Sequence, residues 1–305
     1  MHEKEILQSI RAYLPEKSSQ LIGDDCAYLE DRDLLISADA LIEGVHFLSE
    51  IDPQDLGWKT AAVNLSDIAA MGGVPESFIL TASLPAKCDK SWIEAFMEGL
   101  QACLETYSTS LIGGDLTRAE HISLSGTIFG RAVERGKVGR RSAARIGHQV
   151  GVYGDFGLSA GGLWAIQNRV DFPALKMTHL RPIPKIEAGQ EIVRLNSGLI
   201  ALMDSSDGLL DCLEQIATQS KSKLRIDLGL LTQSPELVKV AELAEIDFRE
   251  WFLVGGEDYA LVGTAEVLPG GWQRIGEVIS GEGIEILCKG EPFDWQKFKS
   301  FEHFC

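Results

Sequence analysis

Acidic side chains that follow or interrupt apolar segments are the feature that most restricts how this 305-residue chain can fold. The strings LIGDDCA, LLISADAL, LIGGDLT and ALMDSSDGLL place aspartates where apolar runs end, and AVNLSDIAAMGG places one inside a largely apolar helix. The aspartates concerned are Asp24, Asp25, Asp39, Asp67, Asp115, Asp204 and Asp207. Carboxylates in such surroundings are unfavourable unless they are paired or bind a metal. Together they predict a site for hard divalent cations, which take oxygen ligands and are commonly shared with substrate phosphates.

Each aspartate taken singly also has a local interpretation, as a helix cap or a turn former. Asp207, for example, is well placed as a helix N-cap ahead of Gly208. Asp67 is the hardest to explain in this way, because the apolar residues that follow it indicate a packed environment. Collectively the pattern favours Mg²⁺, and through Mg²⁺ a nucleotide.

Apolar periodicity and capping signals predict helices and strands that are mixed without a strict β-α-β rhythm. The predicted fold class is therefore α+β, with two domains, rather than a doubly wound sheet. The clearest helices open at Asp52-Pro53, ending near Met71, and at Asp89, ending near Tyr107. Other helices are predicted at Lys4 to Leu14, from about Ser159, after Pro182 and at Leu209 to Thr218. Strands are predicted at Cys26 to Leu29, Leu34 to Ser37, Ser77 to Leu84, Leu111-Ile112, Ile122 to Gly130, Val150 to Tyr153, Leu199 to Met203, Leu224 to Asp227, Tyr259 to Gly263 and Arg274 to Val278.

The segment 134–145 is basic, contains glycine and is weakly apolar, which is typical of a connection between two halves. We therefore predict domains at residues 1–137 and 138–305.

The formal charge of −17 argues against DNA, RNA or an anionic membrane as partner, because such contacts depend on Lys and Arg. A simpler explanation of the acidity is solubility. The polar N-terminus shows no signal peptide, and no stretch approaches the ~18 uninterrupted apolar residues of a membrane span. The six scattered cysteines lack a CxxC pair and indicate reduced thiols, so we expect a cytoplasmic protein.

Two glycine pairs precede acidic residues, Gly113-Gly114 before Asp115 and Gly255-Gly256 before Glu257. They would let the backbone approach a ligand or adopt positive φ, although ordinary turns explain them equally well.

A basic island, GRRSAAR, stands out in this acidic chain. Its guanidinium groups on Arg140, Arg141 and Arg145 suit phosphate, and the alternative is a solvated linker. His46 could titrate near neutral pH or donate a hydrogen bond, but a lone histidine beside apolar residues is more often structural. The sequence contains no GxxxxGK[ST] or HExxH, and no GxGxxG follows a strand. Interpretations of the chain as a common nucleotide-binding protein or a zinc protease therefore lack support.

Several strings in this order resemble the thiamine-monophosphate kinases, which belong to the superfamily of ATP-binding proteins that includes aminoimidazole ribonucleotide synthetase. They are IGDDCA, EGVHF, DLGWKTAAVNLSDIAAMGG, LIGGDLTR, HLRPIPK, DSSDGLLDCL and GGEDYAL. The resemblance covers roughly residues 20 to 305, and NLSDIAAMGG and GGEDY are its most specific parts.

The resemblance implies a homodimer in which the N-terminal sheet pairs with its copy, with ATP bound near that junction and the C-terminal domain closing over the site. It implies Mg²⁺ ligands at Asp25, Ser37, Asp39, Asp67, Asp115, Asp204 and Asp207. It implies ATP contacts from Gly114, Asp115, Arg141 and Ser206, and thiamine monophosphate contacts from His46, Glu257 and Phe301. Asp67, Asp207 and Arg141 are the residues that we expect to matter most for catalysis.

Two departures from the family pattern stand out. The family has two hydroxyl residues before the aspartate of its second motif, whereas this chain reads Ser37-Ala38-Asp39, and Ala38 can offer a metal only its carbonyl oxygen. In addition, His148 and Leu158 replace acidic positions of the family, from which we expect altered helix capping rather than lost activity.

The reaction implied is phosphorylation of thiamine monophosphate by ATP, with Mg²⁺, to thiamine diphosphate. One alternative is a hydrogenase-maturation protein of the same superfamily, which carries a C-terminal cysteine; this chain ends in Cys305 but lacks the PRIC-like ending. Selenophosphate synthetase needs a reactive cysteine before the first metal motif, and none precedes Asp24. A catalytically silent nucleotide-binding protein is the remaining alternative, against which the retained aspartates argue.

Overall fold

The computed structural model describes residues 3–19 and 21–298, and within these ranges the chain forms ten α-helices and twelve β-strands. The helices are α1 (Glu3–Ala12), α2 (Glu16–Ser19), α3 (Pro53–Ala70), α4 (Lys90–Thr106), α5 (Leu158–Gln167), α6 (Pro173–Leu180), α7 (Ile186–Leu195), α8 (Leu209–Ser220), α9 (Pro235–Leu243) and α10 (Phe248–Val254). The strands are β1 (Ala27–Leu29), β2 (Leu34–Ile42), β3 (Gly73–Leu84), β4 (Ser110–Arg118), β5 (Ser123–Ala132), β6 (Gln149–Tyr153), β7 (Ala201–Asp204), β8 (Lys223–Asp227), β9 (Leu261–Ala265), β10 (Gln273–Ile279), β11 (Gly283–Cys288) and β12 (Glu291–Pro292).

The first sheet has five strands in the order β1-β2-β5-β3-β4. Its neighbours are antiparallel except for β3 and β4, which run parallel and are joined through α4. Strand β4 is an edge strand, and most of its residues are exposed.

The second sheet has seven strands in the order β12-β11-β8-β10-β6-β9-β7. Only β8 and β11 pair in parallel among these neighbours. Helix α8 contacts β7, β8, β9 and β11, and its first residues lie beside the end of β7. The presence of two mixed sheets with helices confirms the predicted α+β class.

Helix α3 lies at the centre of the first core and contacts α4, α7 and strands of both sheets. It is buried from Leu56 to Ala70 apart from Trp58, and the buried residues include polar side chains such as Lys59, Asn64 and Asp67. Its start agrees with the prediction, because the Asp52 carboxylate accepts a hydrogen bond from the Gln54 backbone N–H at 2.8 Å. The start of α4 agrees as well, since Asp89 accepts from the Trp92 N–H at 2.9 Å.

Several elements differ from the sequence prediction. Strand β3 begins at Gly73 rather than Ser77, and β4 continues through Gly113-Gly114 to Arg118. Helices α6, α9 and α10 and strand β11 were not predicted. Two of them carried a readable signal, because Ser234 caps α9 and Asp247 caps α10.

The residues of the two sheets are separate in sequence, 27–132 for the first and 149–292 for the second. Helix α7 from the second half nevertheless packs into the first core, where Ile192 and Val193 are fully buried. A bilayer-crossing helix is not found in residues 3–19 and 21–298, where each helix is too short or too polar.

Candidate active site

Three carboxylates from distant parts of the chain converge between the two sheets. Asp25 precedes β1, Asp67 lies near the end of α3, and Asp204 ends β7. One ligand oxygen from each lies within 4.8 Å of the others. Such a group of oxygen donors fits a hard divalent cation such as Mg²⁺.

A dedicated partner holds each of these carboxylates. The Arg141 guanidinium donates to both oxygens of Asp25, from Nη2 at 2.6 Å and from Nε at 3.3 Å. Ser37 Oγ donates to Asp67 Oδ2 at 2.6 Å, and Ser66 Oγ donates to Asp204 Oδ2. Because each partner occupies one edge of its carboxylate, the three groups are orientated before any ligand arrives.

The electrostatics of this group favour the binding of a cation. Burial, followed by the charges of Asp39, Asp204 and Asp25, raises the pKa of Asp67 well above its ordinary value. Burial and Asp25 likewise raise the pKa of Asp204. Without added positive charge the protein therefore binds protons here instead of holding every carboxylate ionised. These residues fit Mg²⁺ in both donor type and charge.

Two more predicted metal ligands, Asp39 and Asp207, lie outside the group of three, but their charges contribute to the electrostatics of the same region. Burial, with Asp25 and then Asp207, raises the pKa of Asp39 to about 6. The backbone N–H of Asp39 donates to Asn64 Oδ1 on α3 at 3.1 Å, which fixes β2 against the helix. Ala38 beside it is exposed and has no side-chain donor for a metal.

The local interpretation of Asp207 as a helix cap is wrong. Gly208 is the N-cap of α8 and no side chain caps that helix. Instead, Asp207 Oδ2 accepts a hydrogen bond from Ser206 Oγ at 2.7 Å. The Asp207 carboxylate is thus not used for helix capping, and it adjoins Ser206, the residue assigned to ATP by resemblance.

Gly113, Gly114 and Asp115 lie on exposed edge strand β4, and the glycines form neither a turn nor a positive-φ position. Gly114 is required for close approach, since a Cβ there would lie 1.9 Å from the Leu80 carbonyl oxygen. These residues line a pocket of about 520 Å³, which Trp92 and other apolar side chains of α4 complete. Asp115 is not in the group of three carboxylates.

The basic island faces the acidic centre. Arg140 Nη1 donates to Asp24 Oδ2 at 3.2 Å, and the backbone N–H of Arg141 donates to Asp24 Oδ1 at 2.9 Å. Arg145, in contrast, donates to backbone carbonyls of its own segment. The alternative of a solvated linker is therefore wrong for Arg140 and Arg141.

A second polar cluster contains His46 and Glu257. Lys59 Nζ lies 3.0 Å from Glu257 Oε1, and it donates to the His46 carbonyl oxygen at 3.3 Å. His46 Nδ1 accepts from the Ile42 backbone N–H at 3.0 Å, and His179 Nδ1 lies 3.4 Å from Glu257 Oε2. Lys59 and His179 were not among the predicted site residues, although a lysine inside a largely apolar helix was a visible signal.

Glu257 sits on a strained loop that runs beside Ser205-Ser206. Its φ is +54° and that of Tyr259 is +48°, both in the left-handed region that non-glycine residues rarely adopt. The N–H of Glu257 donates to the Ser206 carbonyl at 2.6 Å, and that of Tyr259 donates to Ser205 at 3.0 Å. Backbone strain held in this way is common at ligand sites.

The departure at Leu158 has a structural counterpart. Leu158 begins α5 without a side-chain cap from its own segment. Asp258 supplies the cap from the distant loop, accepting from the N–H groups of Gly157 at 2.6 Å and Ser159 at 2.9 Å. Phe301 and Cys305 lie outside the described residues.

The first half of this two-sheet α+β fold, which carries Asp25 and Asp67 of the acidic centre, matches the class of AIR synthase related proteins. The family model described as AIR synthase related protein, N-terminal domain, matches residues 23–132. The thiamine-monophosphate kinase of Escherichia coli strain K12 is 40% identical over an alignment of 307 residues that covers 93% of this chain and 91% of the relative. The chain belongs to the thiamine-monophosphate kinase family.

Solved structures agree with this assignment. AaThiL complexed with AMPPCP and TMP has a TM-score of 0.88 at 32% identity, covering 99% of this chain and 97% of that chain. Hydrogenase maturation protein HypE in complex with ATP has a TM-score of 0.70 at 16% identity, covering 85% and 83%. The family resemblance found in the motifs is confirmed, and the relation to the hydrogenase-maturation protein is one of fold alone.

Proposed function

We propose that this chain transfers the γ-phosphoryl group of ATP directly to the phosphate of thiamine monophosphate, giving thiamine diphosphate and ADP. The observation that carries the proposal is the convergence of Asp25, Asp67 and Asp204, in a chain related to thiamine-monophosphate kinases over nearly its whole length. The related AaThiL complex with AMPPCP and TMP supports both ligands.

The metal ligands that we propose are oxygen-bearing side chains of the acidic centre and its neighbours, together with Asp115 on β4. They are Asp25, Ser37, Asp39, Asp67, Asp115, Asp204 and Asp207. Burial and mutual repulsion of the central carboxylates support this assignment. Mg²⁺ bound there would supply the positive charge that offsets repulsion between two phosphorylated substrates.

For ATP we propose contacts from Gly114, Asp115, Arg141 and Ser206. The exposure of Gly114 and Asp115 supports access from β4. Arg141 donates to Asp25 from two of its nitrogens and to Gln215 from one, so beside its proposed contact with ATP it would hold Asp25 and add positive charge. For thiamine monophosphate we propose His46, Glu257 and Phe301.

The reaction needs no general base on the protein. A phosphate monoester has a second pKa near 6 and is largely ionised at neutral pH, so its oxygen is already a nucleophile. The protein's task is to align donor and acceptor and to stabilise charge on the transferred group. Asp67 and Asp207, with Arg141, are the residues that we propose for this alignment.

We propose a homodimer formed along β4. Ile112 and Leu116 on this edge strand are 62% and 67% exposed. An exposed apolar edge is a ready site for pairing with a second copy.

We also propose the division into an ATP- and Mg²⁺-binding domain, residues 1–137, and a closing domain, residues 138–305. The separate sheets support it, while the packing of α7 on α3 indicates an intimate interface. A cytoplasmic location is supported by the free cysteines of the described chain.

The experiment is conversion of thiamine monophosphate by the purified protein with ATP, read by chromatography of the fluorescent thiochrome derivatives. We expect thiamine diphosphate only when Mg²⁺ is present. Asp67→Asn should lower the rate by roughly two orders of magnitude or more, because it removes a charged ligand from the centre. ATP binding without turnover by the wild type would instead indicate a silent nucleotide-binding protein.

Direct transfer has its own test. Incubation with γ-labelled ATP should leave the protein unlabelled while product accumulates. A phosphoprotein that forms and decays at the rate of turnover would contradict direct transfer.

A further inference from the structure

Lys59 is the most deeply buried charged side chain of the described structure that lies beside the site. Its side chain is 0% exposed at the middle of α3, and lysine is almost never fully buried unless it is paired. Its ammonium contacts Glu257 Oε1 and the His46 carbonyl oxygen, at 3.0 Å and 3.3 Å. Both contacted residues are ones that we assign to thiamine monophosphate.

The pair links the two halves of the molecule. Lys59 belongs to the helix that supports the first sheet, whereas Glu257 lies on the loop before β9 of the second sheet. The Glu257 side chain is still 26% exposed, so its carboxylate remains accessible to a ligand while Lys59 is enclosed. A ligand that binds to Glu257 therefore contacts a carboxylate whose position depends on α3.

The ion pair is formed by Lys59 and Glu257, and His179 is not part of it. Burial, and then Lys59 itself, lowers the pKa of His179 to about 4, so its imidazole is neutral at neutral pH. Burial alone would raise the pKa of Glu257, but the neighbouring Lys59 outweighs burial and lowers it. Lys59 thus keeps Glu257 ionised in a setting that would otherwise favour the neutral acid.

Stability is a weak reason for such an arrangement. A buried ion pair gains little over apolar side chains of similar volume, because both charges must be desolvated. The left-handed backbone at Glu257 also opposes folding, so the loop is held in a conformation that sequence preference disfavours. Both features are explained if the position and charge of Glu257 matter to a ligand.

We infer that Lys59 is a positioning residue, which holds Glu257 as an ionised and oriented carboxylate for the ring system of thiamine monophosphate, that is, its cationic thiazolium and its aminopyrimidine. This inference rests on the proposed function. The thiazolium ring is positively charged and the aminopyrimidine carries N–H donors, and both are complementary to a fixed carboxylate. Lys59 touches no reacting group and acts through Glu257.

The test compares Lys59→Met, Glu257→Gln and the double variant, with KM measured separately for thiamine monophosphate and for ATP. We expect Lys59→Met to raise KM for thiamine monophosphate by about tenfold or more, with KM for ATP within about twofold of the wild type. The double variant should be no worse than Glu257→Gln alone, because the inference assigns the effect of Lys59 to Glu257 and not to its contact with the His46 carbonyl oxygen. Lys223→Met, which removes the lysine of a Lys–Glu pair in the second sheet, is the matched control and should behave as the wild type.

The double variant also allows a test if Lys59→Met does not fold. Lys59→Met leaves the Glu257 carboxylate charged without its partner, whereas the double variant removes both charges. If Lys59→Met fails to fold, equal KM values in the double variant and Glu257→Gln still support the inference, and a higher KM in the double variant overturns it. Equal increases in both KM values, or additive effects of the two substitutions, would also overturn it. A wild type that forms no thiamine diphosphate would overturn the proposed function and this inference together, whereas an active wild type with an unaffected Lys59→Met would overturn only the inference.

Discussion

At the scale of single residues, the acidic centre depends on partners that set where each negative charge lies. Asp25 is held by a guanidinium, and Asp67 and Asp204 are held by hydroxyl groups. The guanidinium is the only one of these three partners that carries a charge. Arg141 is therefore the residue whose replacement best separates geometry from charge.

Arg141→Lys keeps the positive charge but loses the planar fork that grips both oxygens of Asp25. We expect kcat to fall by roughly one to two orders of magnitude while the fold is retained. Initial rates at saturating substrates and a thermal melt would measure both. Arg225→Lys, which alters an Arg–Glu pair on the second sheet, should leave kcat unchanged. An equal kcat for Arg141→Lys and the wild type would show that charge alone is sufficient.

At the scale of elements, glycines set how closely the helices of the first half approach. A Cβ at Gly57 would lie 2.0 Å from the Phe96 carbonyl oxygen, and one at Gly99 would lie 1.8 Å from that of Gln54. Helices α3 and α4 therefore pack backbone against backbone. Because α3 carries Asp67 and Lys59, this contact also positions the site.

Gly99→Ala should force the two helices apart. Overpacking of this kind destabilises by about 1–3 kcal/mol, and for a chain of this length we expect a Tm lower by roughly 3–10 °C. Differential scanning fluorimetry would measure the change. Gly198→Ala, at a position where the nearest atom to a Cβ is 3.8 Å away, is the control. A Tm equal to that of the control would contradict the close packing of α3 on α4.

Strand β4 offers the second prediction at this scale. Leu116→Glu places a charge on the exposed apolar edge, and desolvating that charge should prevent pairing of two copies. We expect a monomer by light scattering at concentrations where the wild type is a dimer. Leu243→Glu on α9, where the leucine is 59% exposed, should leave the dimer intact. A dimeric Leu116→Glu protein would exclude β4 as the interface.

At the scale of the whole molecule, the acidic centre joins stability to metal and pH. A carboxyl group whose pKa is raised by folding stabilises the protein fully below its unfolded value, near 4, and loses that contribution as pH rises through the folded value. For Asp39 the folded value is about 6. The metal-free centre therefore becomes more unfavourable as pH rises through about 6.

Mg²⁺ should reverse this trend, because it competes with protons for the same oxygens. We expect the increase in Tm on adding saturating Mg²⁺ to be small at pH 5 and to reach about 5 °C at pH 8. Melts with and without Mg²⁺ at each pH cancel the titration of groups outside the centre. Asp67→Asn should reduce the increase at pH 8. An increase of the same size at pH 5 and pH 8 would contradict a metal site built from these carboxylates.

Local signals in the sequence were sufficient for much of the first half. The caps at Asp52 and Asp89 and the glycines after Met71 involve neighbours in the chain, so they could be read without knowing the fold. The aspartates at the ends of apolar runs, and the family motifs around them, were likewise visible. By itself the sequence determined the fold class, the family and the set of candidate ligands.

Tertiary structure decided which candidates meet. Ser66 and Asp204 are 138 positions apart, and Arg141 and Asp25 are 116 apart, so no local pattern could pair them. Packing also overrode propensity at β4, where Gly114 continues a strand because only glycine fits against the Leu80 carbonyl. Lys59 reaches Glu257 only after α3 is buried between the two halves. The acidic centre and its neighbouring ion pair were therefore decided by contacts that exist only once the two sheets are packed together.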